Sequence, residues 1–213
     1  MSVTLYYLSG SPFAWRVWLA LAHKGTDFEL KRMSYDAGDF AKPDFQVLTP
    51  RRKVPVLVHD SFVLFESAAI VEYIEDRWPE GPRLFSDDIE QRARERRLIR
   101  EADQYFAEAM ERLVVAVLFT PPEKRDPARI AAGCDDLRKE LAVWEGIIAG
   151  DHLAGVLSAA DFTLYPQIAL VDRMAKRNPG LIPADLVGPK IGAWMRRMEA
   201  LPIVQATWPP HWK

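Results

Sequence analysis

Three short stretches of this 213-residue chain carry the groups that could do chemistry. The first is Ser9-Gly10-Ser11-Pro12, two hydroxyls set between an apolar run, Val3 to Leu8, and a helical pattern that opens at Phe13. A serine at a helix start can accept from the free N–H groups of the first turn and still donate its own proton outward. The second is Lys53-Val54-Pro55, which leads into the apolar run Val56 to Val58. Proline lacks a ladder N–H, so it belongs at the first residue or the edge of a strand. The Val54–Pro55 bond is predicted cis, with the Val54 N–H and C=O turned outward to pair with an extended, peptide-like ligand. The third is Glu66-Ser67, immediately before the helical pattern Ala68, Ile70, Val71, Tyr73, Ile74. The Ser67 hydroxyl and the free N–H groups beyond it are placed to meet an anion.

Composition narrows the partners. The net charge of −2 supplies no field for nucleic acid or an anionic membrane, and neither is expected as a partner. No run approaches the ~20 apolar residues of a membrane span, and Met1-Ser2-Val3-Thr4-Leu5 is not the basic start of a leader, so a cytoplasmic location is expected. The lone Cys134 excludes an internal disulfide and any Cys-x-x-Cys motif, and it reads as a passive small residue. His23, His59, His152 and His211 are scattered, so no metal site is expected.

Periodicity supplies the elements that hold the three stretches. Residues 3–8 read as a strand and Phe13 to Ala22 as a helix. That helix is apolar almost all round apart from Arg16, the pattern of one buried between layers. Glu29 to Met33 reads as a second strand and Asp39 to Leu48 as a short irregular helix. Val56 to Val58 and Phe62 to Phe65 form a hairpin joined by His59-Asp60-Ser61. Strand, helix, strand, hairpin and helix make a mixed four-stranded α/β domain over residues 1–79. Pro79-Glu80-Gly81-Pro82 opens a linker over residues 80–86, and residues 87–213 are helical. Leu98, Ala102, Tyr105, Phe106, Ala109, Met110, Leu113 and Val117 keep one stripe along a long helix, and Glu90 to Arg100 reads as a solvated face. Ser158-Ala159-Ala160-Asp161 is a capping box, which gives Asp161 a structural role. The apolar Trp208-Pro209-Pro210-His211-Trp212 is expected to lie back on the protein.

In this order and spacing, Ser11-Pro12-Phe13-Ala14-Trp15-Arg16-Val17, Lys53-Val54-Pro55, Glu66-Ser67 and Ser158-Ala159-Ala160-Asp161 resemble the cytosolic glutathione S-transferases over nearly the whole chain. The Ser-Pro-Phe opening is most similar to the serine-using classes, tau and zeta being nearest in pattern. The resemblance implies a thioredoxin-like N-terminal domain followed by an all-α domain that contributes an electrophile pocket. It implies a detoxifying transferase that joins the glutathione thiolate to electrophilic small molecules. A homodimer is implied through the Glu90–Arg100 helix and the Ile70–Ile74 helix.

The resemblance also implies roles for particular residues. Ser11 would donate to the glutathione sulfur, with Ser9 as the second candidate and helix capping as the structural alternative for Ser11. Ser67 would take the γ-glutamyl carboxylate, Glu66 its ammonium, Val54 the cysteinyl amide, and Lys53 the glycine carboxylate with Lys42 assisting. Phe13, Tyr105, Phe106 and Met110 would line the electrophile pocket or else pack a core. The competing functions are a non-catalytic glutathione-binding or ligand-carrying protein and an interaction scaffold of the same fold.

Two departures stand out. Where many members read Asn-Pro-x-Gly-Lys-Val-Pro, this chain has Thr49-Pro50-Arg51-Arg52-Lys53-Val54-Pro55. Zeta-type isomerases carry Ser-Ser-Cys-Ser where this chain has Ser11-Pro12-Phe13-Ala14, so neither isomerase nor thiol-transferase chemistry is expected.

Overall fold

Alternation along the first strand decides where the sheet lies. In β1 (Val3–Tyr7), Val3, Leu5 and Tyr7 are buried and Thr4 and Tyr6 only partly so, the signature of a strand covered unequally on its two faces. The computed structural model, which describes residues 2–148 and 150–212, pairs β1 with three other strands. Strand β2 (Glu29–Arg32) runs parallel to β1, β3 (Val56–His59) antiparallel to β1, and β4 (Phe62–Phe65) antiparallel to β3. The sheet order is β2-β1-β3-β4. A parallel neighbour requires a crossover, and α1 (Pro12–Lys24) supplies it. This is the thioredoxin-like α/β arrangement expected.

One sheet face carries Tyr6, Val56, Val58, Val63 and Phe65, which pack with Phe40, Phe45 and Leu48. The irregular helix expected over residues 39–48 is a 3₁₀ turn, Asp39–Ala41, and then α2 (Pro43–Leu48). Pro43 disfavours helical backbone at Lys42, which is extended at φ −67 and ψ 135. On the same unit, α1 packs against α3 (Ser67–Arg77). Ile70 and Ile74 are fully buried, so the apolar stripe of α3, expected at a dimer interface, is used within the subunit.

The hairpin is tighter than its expected three-residue connection. His59 pairs with Phe62 in the ladder, leaving a two-residue loop of Asp60 and Ser61. The physical reason is that the buried His59 is held from α3: its Nδ1 lies 2.8 Å from the Tyr73 hydroxyl. The strands β1 and β2 also each stop one residue short of the expected Leu8 and Met33.

The chain groups into two units, Met1–Ser86 with Leu201–Lys213, and Asp87–Ala200. Residues 80–86, expected as a linker, therefore belong to the first unit. Leu84 and Phe85 are buried, and the Leu84 N–H donates to Glu75 Oε2 at 3.0 Å. Glu75 also pairs with Lys24 at 2.5 Å and Arg83 at 2.6 Å. The stretch from Leu201, expected in the helical domain, joins the first unit through α9 (Pro202–Ala206), which packs on α1.

The second unit contains α4 (Ile89–Glu101), α5 (Ala107–Val117), α6 (Pro127–Ile147), α7 (Ala159–Arg177) and α8 (Pro189–Ala200). Between α4 and α5 lies a π turn, Ala102–Phe106. Its wider i→i+5 pitch breaks the stripe read from spacing: Phe106 is fully buried while Tyr105 is 58% exposed. The capping box opens α7, with both reciprocal bonds formed. Along α4, Arg94 pairs with Glu90 at 3.3 Å and Arg97 with Glu101 at 3.0 Å, but Glu95 is fully buried, so the run expected as a solvated face is solvated on one side only. Cys134 is buried, and burial pushes its thiol pKa up, the opposite of a reactive cysteine. Among the described residues no helix is long and apolar enough to cross a membrane, and no group of three or more His, Cys, Asp or Glu is placed to hold a metal ion.

Candidate active site at one end of the sheet

Strand direction gathers the three chemical stretches. Tyr6 pairs with Val56, and Val56 pairs with Phe65. The chain after β1, the chain before β3 and the chain after β4 therefore all emerge at the same sheet end. They carry Ser9 to Ser11, Lys53 to Pro55, and Glu66 to Ser67 respectively.

Ser11 is the N-cap of α1, with extended backbone at φ −70 and ψ 119. Its Oγ accepts from the Ala14 N–H at 3.3 Å. Capping and catalysis do not compete here, because the cap uses a lone pair and leaves the hydroxyl proton available to donate. Helix α1 also turns its N-terminus to the same place, which favours negative charge there. Ser9 and Ser11 line one small cleft together with Tyr7, Gly10, Trp18 and Pro209. Ser9 is differently engaged: its Oγ lies 2.7 Å from His211 Nδ1.

At the second stretch, Val54–Pro55 is cis, as expected. Val54 precedes the first ladder residue, Val56, and its side chain packs into the cluster under α2. Lys53 is exposed. Lys42 is paired with Asp39 at 2.6 Å across one turn, so its ammonium already has a carboxylate partner.

The departures in the loop before Lys53 have a conformational counterpart. Thr49 is buried, and its carbonyl accepts from the Arg52 N–H at 3.3 Å, closing a turn. Arg52 occupies the place where many members have glycine, and it adopts φ +52, the left-handed region that glycine enters without penalty. The loop keeps a glycine-type conformation at the expense of strain. Arg52→Gly is expected to raise unfolding stability by about 0.5–1 kcal/mol, read as a higher urea midpoint at an unchanged slope.

The third stretch brings a residue that sequence reasoning missed. Ser67 is 6% exposed, and its hydroxyl accepts a hydrogen bond from Arg16 Nη2 of α1. Arg16 itself is 3% exposed. A buried guanidinium beside the start of α3 adds full positive charge where the helix already offers partial charge. The signal available in the sequence was a single arginine on an otherwise apolar helix. Phe13 lies over that guanidinium, with Arg16 Cζ 5.6 Å from its ring centroid. Glu66 stands at φ +71 and points outward, 3.9 Å from Arg51 Nε. Strained backbone of this kind clusters at ligand clamps.

The pocket candidates on the long helix do not share a face. Phe106 and Met110 are 0% and 3% exposed and have no open surface to offer a ligand. Tyr105 is exposed because of the π turn.

Residues 10–77 match the family described as "Glutathione S-transferase, N-terminal domain". Glutathione S-transferase 4 of Zea mays is 34% identical over 207 residues, covering 94% of this chain and 89% of that one. Maleylacetoacetate isomerase of Mus musculus is 33% identical over 177 residues, covering 79% and 78%. Among solved structures, glutathione transferase F7 from Populus trichocarpa superposes with a TM-score of 0.84 at 25% identity, covering 96% of this chain and 97% of that one. With a third of its positions shared along almost its full length with a curated glutathione S-transferase, and with the fold to match, this protein belongs to the glutathione S-transferase family.

Proposed function

We propose that this protein is a glutathione transferase that joins the thiolate of glutathione to electrophilic small molecules. The observation that carries the reading is the convergence of Ser11, Val54 and Ser67 at one sheet end, with Arg16 buried beside Ser67. Glutathione is a peptide with a carboxylate at each end, and the site offers matching chemistry in order. The start of α3, with Ser67 and Arg16, takes the γ-glutamyl carboxylate. The backbone of Val54 pairs with the cysteinyl amide groups in strand fashion. Lys53 answers the glycine carboxylate as a mobile point charge. Glu66 offers its carboxylate to the ammonium. Lys42, held by Asp39, is a weaker candidate for the glycine end.

The Ser11 hydroxyl then donates to the sulfur at the N-terminus of α1. A donor and a helix dipole aimed at one atom favour the thiolate over the thiol, so the nucleophile is generated on the ligand. Of the residues the resemblance assigns to the electrophile, Phe13 is half-buried and Tyr105 exposed, each within its own unit. The same reading carries a homodimer working in the cytoplasm; for the dimer, Phe62 on the edge strand β4 leaves apolar surface exposed beside Tyr73. Sedimentation of a monomer alone would remove the dimer.

Retention on immobilised glutathione, followed by turnover of a chromogenic aryl halide, tests the function. Retention with turnover is expected; retention without turnover would leave a glutathione-binding carrier, and neither would leave a scaffold. The mouse relative makes isomerisation of maleylacetoacetate the second reading, and Phe13, standing where zeta-type isomerases have cysteine, argues against it.

A further inference from the structure

The segment Thr207–Trp212 lies on the turn that carries Ser11. Trp15 Nε1 donates to Thr207 Oγ1 at 2.9 Å, and that hydroxyl donates onward to the Ile203 carbonyl at 2.7 Å. The Trp15 indole meets Trp208 and Trp212 nearly edge-on, each with its ring centroid 5.5 Å away. Trp208 and Trp212 meet each other at 6.0 Å. Perpendicular aromatic pairs have a preferred geometry, so three mutually edge-on indoles define an orientation as well as a contact. The Trp212 N–H donates to the Pro209 carbonyl at 2.8 Å, which folds the segment tightly and brings out His211.

His211 arrives at the turn from outside. Its Nδ1 lies 2.7 Å from Ser9 Oγ. A β-carbon on Gly10 would stand 2.9 Å from His211 Cε1 and 3.0 Å from Trp212 Nε1. Gly10 is also left-handed, at φ +85, so glycine is required there twice over. On the other flank the Trp15 N–H donates to the Ser11 carbonyl at 2.9 Å. The segment thus holds Ser9 directly through His211 and packs on the Trp15 indole one turn into the helix that Ser11 caps. Pro209 completes the wall of the cleft that both serines line.

The turn is closed by the Ser11 N–H, which donates to the Leu8 carbonyl at 3.0 Å. Ser9 and Gly10 lie between the last residue of β1 and the first of α1, outside both ladders. The cap bond from Ala14 N–H to Ser11 Oγ, at 3.3 Å, is long, so it orients the hydroxyl weakly. Catalytic donors lose rate steeply when displaced, by up to about a hundredfold for ~1 Å. That backbone bond sets the path of the chain, and the hydrogen bond between His211 and Ser9 adds a side-chain hold on the Ser9–Ser11 turn.

We propose that His211 is a positioning residue for the thiol site. Its bond to Ser9 fixes the Ser9-Gly10-Ser11 turn so that the Ser11 hydroxyl faces the sulfur. The proposal rests on the glutathione reading above. It also separates the two serines: Ser9 is tied to His211 and Ser11 is left to donate.

The test uses His211→Ala and His211→Asn in the full chain. Kinetics, glutathione affinity and the ultraviolet absorbance of the bound thiolate against pH are measured for each. Asparagine puts a hydrogen-bonding atom near the place of Nδ1 but cannot carry the imidazole charge. Tyr7 is a titratable side chain that lines the cleft, so the pH series is repeated in a Tyr7→Phe background. The alanine variant is expected to lose about tenfold in kcat and to raise the bound thiol pKa by about one unit, with glutathione affinity held within about twofold. The asparagine variant is expected to return to within about twofold of the unaltered protein. An alanine variant with unchanged kcat overturns the proposal. So does an asparagine variant as slow as alanine, because the imidazole's charge and not its hydrogen bond would then be at work. If the unaltered protein neither binds nor turns over glutathione, the functional reading fails and takes this proposal with it; normal turnover in both the unaltered and alanine proteins sinks the proposal alone.

Discussion

Replacement of Ser11 by alanine is expected to lower kcat about a hundredfold while glutathione affinity changes by less than about threefold. The asymmetry follows from where the binding groups lie. On the proposed reading, Ser67, Arg16, Val54 and Lys53 address the two carboxylates and the peptide groups of the ligand. Ser11 addresses only the sulfur, whose charge appears as the thiol ionises. The variant also loses the α1 cap, at a cost of about 1 kcal/mol, so its unfolding curve must be measured beside its rate. Ser11→Thr keeps a capping hydroxyl and is the control that separates lost stability from lost chemistry. A slow, stable alanine variant whose thiolate absorbance appears only at higher pH is the expected result. A variant that is destabilised but turns over normally would confine Ser11 to its cap.

Asp161→Ala is expected to cost about 3–5 kcal/mol of stability, the largest stability loss among these substitutions. The carboxylate is 0% exposed. It accepts from the Leu153 N–H at 3.0 Å, the Ser158 N–H at 3.0 Å, the Ser158 hydroxyl at 3.3 Å and Trp194 Nε1 at 2.9 Å. Alanine would leave all of these donors buried without their partner, and an indole N–H and two backbone amides cannot reach water without opening the start of α7. Urea unfolding checks this. Asp161→Asn, with one acceptor oxygen instead of two, is expected to fall between. A loss below about 1 kcal/mol in the alanine variant would mean that the box is dispensable.

The capping box and the cis Val54–Pro55 bond are both legible in the residue order by itself. So are the succession of strands and helices up to α3 and the buried character of α1. Each depends on neighbours within a few residues: a proline at a strand start, a serine three residues before an aspartate, an alternation of period two. The long-helix stripe fails at Tyr105 for the same reason in reverse. Spacing assumes 3.6 residues per turn, and the π turn Ala102–Phe106 changes the pitch where nothing in the residue types announces it. Residues 80–86, expected as a linker, and the last segment, expected in the helical domain, both group with the first unit, because Pro and Gly mark only where regular structure stops. They do not say which unit the chain then packs on.

The residue types alone determined the chemistry on offer: hydroxyls at helix starts, an exposed strand entry and an anion site before α3. With Cys134 as the one cysteine and far from these stretches in the sequence, the proposed reading has the reactive thiol come with the ligand. Only the tertiary structure decided what stands beside those groups. Arg16 reaches Ser67 across 51 positions, Trp15 reaches Thr207 across 192, and Ser9 meets His211 across 202. Such contacts leave no periodic trace in a single sequence. They exist because α1 is buried and has to be covered along its length, which turns Arg16 toward α3 and draws the distant indoles onto the turn that carries Ser11.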